Sequence, residues 1–107
     1  MTLAEYEAQA TRTANSRLTK NERLLDSAAG LAEEAGEVLS LVRKHAFQSK
    51  LLESDRIREE LGDALWCLAM TAHHAGLSLE SVAQTNVAKL RSRYPDGYQD
   101  RSPSEPK

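Results

Sequence analysis

Apolar residues recur along this chain at intervals of three and four, the spacing of one helix face, and nowhere alternate in the manner of a strand. Thr2 followed by Glu5 reads as a capping box opening a short helix to about Thr13, with Leu3, Tyr6 and Ala10 on one side. From about residue 22 to residue 45, Leu24, Leu31, Ala35, Val38 and Val42 mark a long amphipathic second helix. Gly30 and Gly36 lie inside it, and each costs a helix up to ~1 kcal/mol relative to alanine, so a close approach by a neighbouring backbone or ligand is expected there. Residues 46–54 lose the period and read as a connection, with Phe47 plugging the core and Ser54 or Asp55 capping the next helix. Ile57, Leu61, Ala64, Leu68, Ala72 and Ala75 form the stripe of a third helix, ended by a C-cap at Gly76. Ser78 caps a fourth helix, which stops at Tyr94 because Pro95 disfavours helical geometry in the residue before it.

The pattern is all-α. The two long helices, joined by a short connection, are expected to pack antiparallel and to form the base of a four-helix bundle completed by oligomerisation. Residues 1–98 make one domain, and the polar tail 99–107 is expected to be poorly ordered.

Composition narrows the function classes. At 107 residues the chain supports one modest core, and its net charge of −2 lacks the basic excess of a nucleic-acid surface. Cys67 is the single cysteine, which excludes an intrachain disulfide and a cysteine-cluster zinc site and fits a reducing compartment, the cytoplasm. No stretch approaches the roughly 20 apolar residues of a membrane span.

The acids carry the chemistry. A helix turns about 100° per residue, so Glu34 and Glu37 project roughly 60° apart with Glu33 beside Glu37, and all three reach one region. Glu60 and Asp63 repeat the spacing, and each pair sits at the same angle, roughly 80°, from the centre of its own apolar stripe. A lone glutamate in such a chain is solvated by default; two pairs at one offset can converge at the border of a shared core, where only a cation relieves their repulsion. Oxygen-only ligands favour Mg²⁺, with Mn²⁺ as the alternative. The Glu-x-x-His pairs of a ferritin-like di-iron site are absent.

Glu33-Glu34-x-x-Glu37 followed by Glu60-x-x-Asp63 resembles the EExxE…ExxD signature of the MazG-like, all-α nucleoside triphosphate pyrophosphohydrolases. The blocks GLAEEAGEV, REELGDALWCLA and NVAKLRSRYPDGY resemble that family in the same order. The resemblance implies Mg²⁺-dependent hydrolysis of a nucleoside triphosphate between the α- and β-phosphates, as a house-cleaning or nucleotide-pool enzyme. It implies Glu34, Glu37, Glu60 and Asp63 as metal ligands, Glu33 as an outer acid, and Glu34 as the group that orients or deprotonates water. Asn86, Lys89 and Arg93, on one face of the fourth helix, and Tyr94 fall in the closing block and are expected to contact phosphate or sugar; Lys44 is a weaker candidate. Cys67 continues the acid face and either lines the base pocket or is a core thiol. Trp66 points roughly 120° from Glu60 and reads as a packing or interface residue. A homodimer or homotetramer is expected. The competing reading is a non-catalytic helical module that binds a nucleotide or a partner helix through the same groove.

Overall fold

The computed structural model describes residues 1–98, and the expected disordered tail, residues 99–107, lies outside them. Four helices follow in order: α1 (Leu3–Thr11), α2 (Lys20–Gln48), α3 (Ser54–His74) and α4 (Leu79–Arg93). Among the described residues there is no strand, and no helix is long and apolar enough to cross a membrane.

Local chemistry sets most helix ends. The Thr2–Glu5 box opens α1, and a second box, Thr19 with Glu22, opens α2. Beyond α3 the chain turns on Gly76 at φ 81°; Gly76 N–H bonds His73 O and Leu77 N–H bonds Ala72 O, the paired bonds of a Schellman motif. Ser78 caps α4, and the N–H of Leu79 also donates to Glu7 Oε1 at 2.8 Å, tying the start of α4 to α1.

Two expectations fail at the α2–α3 connection. The second helix does not stop at residue 45 but runs to Gln48, where Ser49 adopts a left-handed conformation. Phe47 therefore stays on the helix and is 83% exposed instead of plugging the core. Nor do Ser54 or Asp55 cap α3: Ser54 is its first residue, and the N-cap is Glu53, which makes no side-chain capping bond.

The most extensive contact is between α2 and α3; α1 rests on α3, and α4 rests on α1 and α3 without approaching α2. The covered face of α2 runs through Ser27, Gly30, Glu34, Val38 and Leu41, while Leu25, Leu39 and Val42 remain exposed. On α3, Leu61 and Leu65 are likewise exposed. Of the apolar stripes, Leu24, Leu31 and Val38 on α2 and Ile57, Ala64, Leu68 and Ala72 on α3 are covered together with Glu34 and Glu60, while Ala35, Val42 and Leu61 stay exposed.

The core is small: Ala10, Cys67, Ala69, Met70, Ala72 and Leu79 are its buried apolar residues. The radius of gyration is 17.0 Å, against ~13 Å for a compact chain of about this length.

Of the two helical glycines, Gly30 has the close approach expected of it. A methyl group at Gly30 would lie 2.9 Å from Cys67 Sγ, whereas one at Gly36 meets nothing within 4 Å. Gly30→Ala is expected to destabilise the protein by about 1–3 kcal/mol in thermal or denaturant unfolding. In a Cys67→Ala background the same change should cost little or stabilise, because the helix gains up to ~1 kcal/mol of propensity once the clash is gone.

His74 supplies a pH-dependent test. Burial, then the positive charges of His73 and Arg23, hold its imidazole below the ordinary 6.5. The folded state prefers the neutral ring, so this contribution to stability is fully present above pH 6.5 and is lost as pH falls through the depressed folded value. His74→Gln should flatten that part of the stability-versus-pH curve.

Candidate metal centre

The α2–α3 contact sets three carboxylates together. Glu34 and Glu60 are half-buried and Asp63 is exposed, and one oxygen from each lies within 4.8 Å of the other two. Their helices put them there by register: Glu34 is one turn from Gly30, where α2 meets Cys67, and Asp63 is one turn before Cys67 on α3.

Like charges at this separation repel, and the effect falls on Glu34. Its carboxyl is pushed above the ordinary carboxylate range, first by the hydrogen bond that its protonated form can make to Glu60, then by burial, then by the charges of Asp63, Glu60 and Glu37. Glu34 Oε2 is buried and has no hydrogen-bond partner. Buried carboxylate oxygens normally find a donor. None of the described residues supplies one, and the other clustered groups, Glu60 and Asp63, are carboxylates. The donor set is oxygen-only, so a hard divalent cation fits the cluster.

The other expected site residues divide into three groups. Glu37 lies outside the close cluster but near enough to raise Glu34, and Glu33 is exposed. Cys67 is buried with Sγ against Gly30. Burial first, then Glu34, Asp63, Asp26 and Glu33, push its thiol up, so it is a packed, protonated thiol beside the acids. Asn86, Lys89 and Arg93 are exposed on α4, which packs on α1 and α3 and not on α2. Tyr94 is the C-cap of α4, half-buried, with its ring 5.7 Å from that of Tyr98. Lys44 lines a cavity at the α2–α3 connection.

Trp66 is half-buried and ties α3 to the segment after α1: its Nε1–H donates to Thr13 Oγ1 at 2.8 Å. Tyr6 is a neighbour of the site that no local pattern announces. Burial, then the charges of Asp63 and Cys67, raise its hydroxyl, which places α1 beside the acids. That proximity comes from the packing of α1 on α3.

Comparison with known proteins agrees with the geometry. The chain is 35% identical over 68 residues to the Gene 37 protein of Mycobacterium phage L5, a stretch that covers 60% of this chain and 60% of that protein. The chain therefore matches less than two thirds of that relative's length, and no solved structure matches it significantly. The MazG nucleotide pyrophosphohydrolase domain matches residues 23–98, which include all of the clustered acids and most of the described structure. With the helical architecture and the acid cluster in place, the chain belongs to the MazG nucleotide pyrophosphohydrolase domain family.

Proposed function

We propose that the protein hydrolyses a nucleoside triphosphate between its α- and β-phosphates, releasing the monophosphate and pyrophosphate, with Mg²⁺ as cofactor. The observation that carries this reading is the three-carboxylate cluster with its unpartnered Glu34 oxygen. Glu34, Glu60 and Asp63, with Glu37 at the edge, would hold the cation. When bound, it supplies charge neutralisation for a polyanionic substrate and for the charge that develops at phosphorus.

Glu34 is the candidate general base. Its place in the family's signature supports that role. Attack by that water forms the new bond at the α-phosphorus while the bridging oxygen leaves with pyrophosphate. Glu33, exposed and one residue away, supports the cluster from outside. Asn86, Lys89, Arg93 and Tyr94 are assigned to outer contacts with the substrate on the strength of their place in the family's closing block. Cys67 closes the gap between the helices beside the acids.

Two finer features of the architecture belong to the same reading. The approaches of Gly30 to Cys67 and of Glu34 to Glu60 run in opposite senses along the two helices, which supports an antiparallel α2–α3 pair. The exposed Leu25, Leu39, Val42, Leu61 and Leu65, with an extended shape, support assembly as a homodimer or homotetramer. A cytoplasmic location agrees with the buried free thiol.

Two measurements test the proposal. Incubation with a panel of canonical, deoxy and modified triphosphates plus Mg²⁺ should yield monophosphate and pyrophosphate from at least one; no turnover of any would overturn it. Glu34→Gln and Asp63→Asn should each lower turnover by about 100-fold or more with helical circular dichroism unchanged. Separately, saturating Mg²⁺ or Mn²⁺ should raise the melting temperature of the wild type by several degrees. Glu60→Gln should lose that rise, and Glu34→Gln should in addition be no less stable than the wild type without metal, since it removes one member of a repelling cluster.

A further inference from the structure

Asp63, Trp66, Cys67 and Met70 recur on α3 at the spacing of one helix face, and the first helix and the turn after it lie against that face. The covered residues of α1 are Tyr6, Glu7, Ala10 and Thr11, which share one side of it. Three contacts fix α1 in place. Ala10 is buried in the core, Glu7 Oε1 accepts the N–H of Leu79 at 2.8 Å, and Thr13 Oγ1 accepts the indole N–H of Trp66 at 2.8 Å. Tyr6 adjoins Glu7 and precedes Ala10 by one turn, so its backbone is held on both sides. Its ring is half-buried, and its hydroxyl lies within reach of the charges of Asp63 and Cys67.

That hydroxyl brings to the metal centre what the carboxylates lack. Glu34, Glu60 and Asp63 offer acceptor oxygens, whereas a phenol, unionised at neutral pH, offers an O–H donor. The thiol of Cys67 is a weak donor and is packed against Gly30. Asp63 is the cluster member with most freedom: Glu34 and Glu60 are half-buried in the α2–α3 contact, and Asp63 is exposed. Carboxylates that ligate a metal are themselves oriented by hydrogen bonds from neighbouring groups, and losing such a bond typically weakens metal binding by about 10–100-fold.

We propose that Tyr6 is a positioning residue of the metal centre, its hydroxyl holding the Asp63 carboxylate in the orientation that completes a cation site with Glu34 and Glu60. The two groups are not directly hydrogen-bonded in this structure, so the link runs through one bridging water or forms when the exposed Asp63 side chain turns toward a cation. The inference rests on the acid cluster being a cation site, and it gives α1 a part in the chemistry of the α2–α3 pair.

Tyr6→Phe keeps the ring and removes only the oxygen. Mn²⁺ binding to the full-length chain, followed by electron paramagnetic resonance of the free ion, is compared with the wild type. Emission from Trp66, the single tryptophan, reports whether α1 stays docked through Thr13. Unchanged emission, an unchanged melting temperature in metal-free buffer and a Mn²⁺ dissociation constant raised about tenfold are expected. A dissociation constant within twofold of the wild type, at unchanged emission, overturns the proposal. Should the substitution alter emission or melting, the wild type decides. With tyrosine labelled at the ring Cζ, the Tyr6 resonance should shift saturably as Mg²⁺ is added, and a resonance that does not move overturns the proposal. The same titrations separate this inference from the reading beneath it. If the wild type binds Mn²⁺ and Tyr6→Phe binds it equally well, the role of Tyr6 falls and the metal centre stands. If the wild type binds no Mn²⁺, the metal centre itself falls, and the role of Tyr6 with it.

Discussion

Mutual repulsion among Glu34, Glu60 and Asp63 is the constraint around which this fold is arranged. A helix pair normally brings its apolar stripes together and leaves its acids to water. Here the contact takes in Glu34 and Glu60 as well as apolar residues, and Glu34 responds by holding its proton more tightly than an ordinary glutamate. An interface that destabilises its own chain persists when a ligand compensates for it, and buried polar groups without partners mark such places. The short side chains beside the cluster, Gly30 and Cys67, let the helices come close enough for three carboxylates to share one ligand's reach.

Leu39 and Val42 on α2 and Leu61 and Leu65 on α3 lie on faces that no other described helix covers. The interior is thin, with Met70 the one large side chain fully buried among the described residues. Stability draws also on caps at the helix starts and on the Schellman turn at Gly76.

Helix starts and stops were legible in the sequence wherever they depend on a few adjacent residues. Thr2 with Glu5, Ser78, Gly76 and Tyr94 before Pro95 all act within one turn of themselves. The end of α2 was not, because Ser49 in a left-handed turn carries no sequence mark, and Phe47 was misplaced with it. Convergence of Glu34 with Glu60 and Asp63 could be read from repeated spacing. Which face is covered could not, since an apolar stripe looks the same whether it meets the same chain or another copy. Tyr6 reaches the site only through the packing of α1 on α3, and the cavity at the α2–α3 connection exists only once that connection has folded.

The match to the family begins at residue 23, after α1. Yet Glu7 satisfies the first N–H of α4, Ala10 is part of the core, and Thr13 receives the indole N–H of Trp66. The boundary of a shared sequence pattern and the boundary of a cooperative folding unit are therefore different places in this chain. A fragment cut where the resemblance starts would keep every clustered acid and lose the clasp that joins the two ends of the domain.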